Sequence, residues 1–105
     1  MRRKVKEQQM EGIAITRHEE AGRGEYHAHV PGSDAIGRLI WSESGGVRSA
    51  DSTQVPPELG GRGIAALRVD ALIADAREQG FKVRPACSYV EKAFEKHPEW
   101  AGLRG

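Results

Sequence analysis

Two stretches of the chain carry side chains and backbone suited to chemistry. One holds Cys87, the only cysteine among 105 residues. It directly precedes "SYVEKAFEKH" (88–97), which has helical periodicity, and Ser88 and Glu91 have the spacing of a capping box. A helix N-terminus favours thiolate and lowers a cysteine pKa from its free value of about 8.5. Such a sulfur can take an acyl group or act as acid or base. The alternative is a small buried hydrophobe. The other stretch is "VPPELGGRGIA" (55–65), where Gly60, Gly61 and Gly63 bracket Arg62 at the mouth of a long amphipathic pattern. The first N–H groups of a helix have no intrahelical partner and carry the positive end of its dipole. They suit an anion, phosphate above all. Glycine lets the backbone touch that anion, and Arg62 offers a side-chain clamp. Spacing alone leaves a phosphate cradle and a glycine-rich turn equally open. No lysine-serine or lysine-threonine pair follows, so the loop is not a P-loop. The full dinucleotide spacing and its acidic ribose partner are also missing.

Other candidates are weaker. His27 and His29 share one face of a strand. Two histidines are too few for a metal site, and no acidic or cysteine ligand is placed to complete one, so no metal is expected. Thr53 and Gln54 end a strand beside the glycine loop and are candidates to order a water or a carbonyl. His97 follows Phe94-Glu95-Lys96 and is a candidate to approach a bound cofactor, but a helix C-terminus also welcomes a histidine for plain electrostatic reasons. Tyr89 offers a phenol close to Cys87. Trp41 and Trp100 are read as packing.

These residues need elements to hold them. "IAITRH" (13–18), "EYHAHV" (25–30), "AIGRLIWSE" (35–43) and "VRSADSTQV" (47–55) read as four strands, with Gly37 a candidate bulge. Short turns join them, which predicts an antiparallel meander. The period then changes. From Arg62 to Gln79, Ala65, Val69, Leu72, Ile73 and Ala76 share one helical arc, while Arg68, Asp70, Asp75 and Glu78 lie outside it. Gly80 is the expected stop. "FKVRPA" (81–86) reads as a fifth strand, and Pro98 ends the second helix. A helix between the fourth and fifth strands makes a βαβ unit, so those two strands run parallel. The predicted class is a mixed α/β domain over residues 12–105, preceded by a flexible tail over 1–11.

Composition agrees with one soluble domain. Hydrophobic residues are 38% and charged residues 30%, the balance of a globular chain. The net charge of +1 gives no basis for a nucleic-acid partner. No apolar run reaches the roughly 18 residues of a membrane span, and the basic N-terminus lacks the apolar core of a signal peptide. A single cysteine excludes an internal disulfide. A cytoplasmic monomer or weak dimer is expected.

The stretch from Val55 to Trp100 resembles the GNAT superfamily of N-acetyltransferases, in particular its small members with a cysteine after the fifth strand. The resemblance extends over about residues 13–103. It implies that the glycine loop follows an Arg/Gln-x-x-Gly-x-Gly/Ala pattern whose amides hold the pyrophosphate of acetyl-coenzyme A. Gly63 and Ala65 match its last two positions, and Gly60 departs from the first. Gly60, Gly61, Arg62, Gly63, Ile64 and Ala65 are thereby implied as cofactor contacts. Gln54 and Val55 are implied as backbone partners of the pantetheine arm, which enters where the fourth and fifth strands splay. The family's "Tyr-Glu-Lys" segment corresponds to Phe94-Glu95-Lys96, and phenylalanine has no proton to give. Cys87 is the implied replacement near the thioester, as nucleophile, acid, base or lining. Helices that shape the acceptor site in fuller members are replaced by "EEAGRG", so the amine acceptor stays unidentified. The rival readings are a coenzyme A or phosphate-binding module without catalysis, and a plain interaction protein.

Overall fold

The computed structural model describes residues 9–10, 12–59 and 63–105. Six strands form one sheet in chain order: β1 (Gln9–Met10), β2 (Ile13–Glu20), β3 (Arg23–His29), β4 (Ile36–Ser44), β5 (Val47–Gln54) and β6 (Lys82–Pro85). The five strands expected from sequence are β2 to β6. Strand β1 falls in the segment read as a tail and pairs antiparallel with Ile13 and Ala14. The rest of that segment, residues 1–8 and 11, lies outside the described residues. Helix α1 (Ile64–Gln79) crosses from β5 to β6, and α2 (Ser88–Lys96) follows β6. The first five strands are antiparallel in succession, and β5 and β6 are parallel. This is the predicted mixed α/β architecture.

Local chemistry explains the connections. "EEAGRG" contracts to a two-residue turn at Ala21 and Gly22, with φ of 45° and 82°, and Gly45 and Gly46 repeat the pattern at 58° and 80°. Two positive φ values give a turn whose twist matches the flanking strands. The bulge is not at Gly37, which pairs regularly with Ala28. It falls on β5, where Ile40 faces Ser52 and Trp41 faces Ala50, leaving Asp51 as the extra residue. Gly37 is needed for a different reason. A Cβ there would stand 3.0 Å from the Ile64 side chain and 3.5 Å from the Arg68 guanidinium carbon.

Side chains alternate across each strand. Ile13, Ile15, Tyr26, Ala28, Leu39 and Trp41 are buried on the face that α1 covers. Thr16, His18, Glu25, His27 and His29 take the other face. Helix α1 is buried more widely than its apolar pattern implies. Its buried positions are Ile64, Arg68, Val69, Ala71, Leu72, Ile73, Asp75 and Ala76, an arc of roughly 200° at about 100° per residue. Arg68 and Asp75, placed by the pattern outside the arc, are therefore inside the protein. Gly80 ends α1 as expected, its N–H bonded to the Ala76 carbonyl at 2.9 Å. Val90 and Phe94 of α2 and Trp100 of the following 3-10 turn (Pro98–Leu103) join the same core. Among the described residues no helix is long and apolar enough to cross a membrane.

Candidate active site

The parallel pairing of β5 and β6 runs from Val47 opposite Lys82 to Ala50 opposite Pro85, and no further. Strand β5 continues to Gln54, while the chain after Pro85 turns away into α2. The two strands part at this point. The Cys87 N–H bonds the Ala50 carbonyl at 3.0 Å and so fixes the cysteine at the apex of the opening. Thr53, three residues further along β5, brings its Oγ1 to 3.6 Å from Cys87 Sγ. Among the described residues Val55 and Tyr89 are the large apolar side chains left exposed, and each lies two residues beyond a member of the Thr53–Cys87 pair.

Cys87 starts α2 differently from the capping-box expectation. Cys87 itself is the N-cap, extended at φ −92° and ψ 137°, and its carbonyl accepts the Glu91 N–H at 2.9 Å. Ser88 is already helical, so its hydroxyl cannot serve as N-cap. The Glu91 carboxylate instead receives both Nη groups of Arg104 at 3.0 and 3.1 Å. The sulfur makes no formal cap bond. Burial pushes its pKa up, but the Thr53 hydroxyl and the backbone N–H groups of Val90, Tyr89 and Thr53 outweigh that, and the net direction is down.

Beneath the opening lies Arg68, which is fully buried. Its Nη1 donates to the Gln54 carbonyl at 3.3 Å and its Nε to the Ile64 carbonyl at 3.4 Å, both long bonds. Its Nη2 is the one buried side-chain nitrogen or oxygen among the described residues with no partner. Burial pushes the guanidinium down to about 10, and the Tyr89 and Cys87 side chains, when ionised, pull it back up. It remains charged at neutral pH. Arginine, cysteine and tyrosine are thus electrostatic neighbours. The Arg68 signal was present in the sequence as a stripe of Ile64, Arg68, Ala71 and Asp75 at helical spacing.

At the mouth of α1, Gly63 occupies the N-cap with φ 71°, a left-handed conformation suited to glycine, and no side chain caps the helix. A Cβ on Gly63 would meet nothing within 4 Å among the described residues. Ile64 is buried and anchors the turn, while Ala65 is half-buried. Gly60, Gly61 and Arg62 lie outside the described residues.

The remaining candidates divide cleanly. Phe94 faces the core and meets Trp100 edge-on at 5.4 Å. His97 is committed to the end of α2, stacked on Trp100 at 4.1 Å with Nδ1 3.0 Å from Glu99. Both tryptophans are buried, as read. A family model described as GCN5-related N-acetyl-transferase matches residues 25–103. No curated protein matches the chain.

Proposed function

The chain belongs to the GCN5-related N-acetyltransferase family, and on that premise we propose that it moves the acetyl group of acetyl-coenzyme A onto an amine. The observation that carries the reading is the parting of β5 and β6 with Cys87 at its apex. The uncapped start of α1 at Gly63, Ile64 and Ala65 suits a diphosphate, and the family resemblance implies Gly60, Gly61 and Arg62 as further contacts. The end of β5 at Gln54 and the following Val55 align the pantetheine arm in this reading, with the Gln54 carbonyl already sharing a long bond with Arg68. Acetyl-coenzyme A supplies an activated acyl thioester. The acceptor must arrive as a neutral amine, which for a lysine at pH 7 costs about 4.6 kcal/mol. At the other end of the exchange a thiolate departs and takes up a proton. Cys87 holds that proton at Sγ, gives it to the departing thiolate and regains one from the newly acetylated nitrogen, and a thiol whose pKa is lowered gives its proton up readily.

Replacement Cys87→Ala is expected to cut turnover by about a hundredfold or more while coenzyme A affinity, measured by calorimetry, stays the same. Unchanged turnover would reduce Cys87 to lining. One observation favours a second reading, binding without turnover: Phe94 sits in the core where the family pattern has a phenol. Coenzyme A binding with no thioester loss for any of a panel of amines identifies that case.

A further inference from the structure

The face of the sheet away from α1 gathers three histidines. His27 and His29 project from β3, and β2 adds His18, which the register sets diagonally across from His27. One ring nitrogen from each histidine lies within 4.8 Å of the other two. The sequence shows only the pair on β3, because the third member depends on how the strands align. The His18 and His27 rings are 4.0 Å apart, and His27 and His29 6.1 Å.

Two hydrogen-bond arrangements orient these rings. Thr16 Oγ1 meets His18 Nε2 at 2.9 Å and His29 Nε2 at 2.8 Å, so two ring nitrogens converge on one oxygen. A hydroxyl has a single hydrogen, so it donates to one ring and accepts from the other. The Glu25 carboxylate accepts from His27 Nε2 at 2.7 Å, which leaves the lone pair on Nδ1. A carboxylate behind a histidine is the arrangement that fixes tautomer and raises basicity in metal-bound imidazole. The adjoining groove, about 760 Å³, is lined by His18, His27 and Glu25 together with Glu19, Glu20 and Asp51. Arg23 also lines it, and Arg38 Nε stands 3.9 Å from Glu25. The balance of those charges favours a cation.

We propose that His18, His27 and His29 bind one divalent transition-metal ion across β2 and β3. Three imidazoles suit zinc, copper or nickel and discriminate against magnesium and calcium, which take oxygen ligands. Zinc–nitrogen bonds of about 2.0–2.1 Å need ligand atoms roughly 3.4 Å apart in a tetrahedron, so rotation of the three side chains by little over an ångström closes the site. Thr16 Oγ1 or a water fills the fourth position. The ion clips β2 to β3 on the face of the sheet away from α1.

The test is calorimetric titration of the tag-free full chain with zinc chloride. The expected result is one equivalent bound with micromolar affinity or better. His27→Ala and His29→Ala each weaken it at least tenfold, and Glu25→Gln weakens it by about ten- to a hundredfold. Cys87→Ala and His97→Ala leave it unchanged, and magnesium gives no heat of binding. The more exposed His18→Ala gives the same tenfold loss and stands in if a half-buried variant fails to fold. No saturable binding below millimolar zinc would overturn the proposal. So would binding that survives loss of His18, His27 and His29 singly, or that disappears with Cys87 or His97.

Discussion

Arg48 and Arg68 are both buried, and the protein treats them in opposite ways. Arg48 lies between the rings of Trp41 and Phe81, its guanidinium carbon 3.7 and 4.0 Å from their centroids. Its Nε donates to Glu43 at 2.8 Å and its Nη1 to the Tyr26 hydroxyl at 3.0 Å. That hydroxyl donates to Asp75 at 2.7 Å, and Asp75 also receives Nε and Nη2 of Arg17 at 2.8 and 3.0 Å. The chain of bonds runs from β2 through α1 to β5 and satisfies each charge it buries. Burial and the Asp75 bond push the Tyr26 phenol well up, so it stays a donor at every working pH. Among the described residues Arg68 has no carboxylate partner. It holds two carbonyls at long range and leaves Nη2 unpartnered beside Cys87 and Tyr89. A buried charge without a counter-ion costs stability. The first arginine serves the fold. The second costs the fold stability where it lies, beside the parting of β5 and β6 and next to Cys87 and Tyr89.

Asp75→Ala should have the largest effect on stability. It removes the acceptor of the Tyr26 hydroxyl and of two Arg17 nitrogens at a carboxylate site only 5% exposed, and removal of one buried partner costs about 3–5 kcal/mol. The urea midpoint reads this directly. Arg68→Met should move the midpoint the other way or not at all, because exchanging a poorly paired buried charge for an apolar chain is neutral or stabilising by about 1–4 kcal/mol. Turnover with acetyl-coenzyme A should fall in the same variant. If Arg68→Met destabilises as Asp75→Ala does, the two arginines are alike and the contrast is lost.

Thr53→Val sharpens the contrast at the sulfur itself. The folded pKa of Cys87 is lowered, so thiolate forms at lower pH in the native chain than in the unfolded one. The associated stability is present above the unfolded pKa and lost as pH falls through the folded pKa. The pH midpoint of iodoacetamide alkylation should lie below that of the unfolded chain and rise in Thr53→Val. An unmoved midpoint would assign the lowering to the backbone N–H groups of Tyr89, Val90 and Thr53 alone.

The elements were legible because their signals are local. Alternation marked β2 to β5, and the change of period at Arg62 marked α1. The capping of α1 by Gly80 and the parallel β5–β6 pair followed from glycine placement and from handed crossover geometry. Three features depended on tertiary register instead. The bulge at Asp51 has no mark in "SADST", and Gly37 was a false lead because its missing Cβ serves the Ile64 and Arg68 side chains. The width of the α1 buried face hid Arg68 and Asp75, since a helix pressed from more than one side buries positions beyond one apolar stripe. The third histidine needed the β2–β3 alignment. Of the residues around the parting of β5 and β6, Cys87, Thr53, Gln54 and Gly63 were singled out in the sequence, and Arg68 was not.

The smallest expected effect separates two ways of starting α2. A capping box would make Ser88 the N-cap, and Ser88→Ala would then cost about 1 kcal/mol. With Cys87 as N-cap, Ser88 is an exposed first-turn residue and its hydroxyl bonds nothing among the described residues. Ser88→Ala should therefore leave the urea midpoint within error, and alanine's better helix propensity offsets what little is lost. Glu91→Gln should shift the midpoint slightly and only at low salt, because its carboxylate serves the exposed Arg104 pair, not the cap. A clear loss in Ser88→Ala would return the cap to serine. The sulfur would then no longer face the α2 amides from the N-cap position, and the lowered thiol pKa would rest on Thr53 alone.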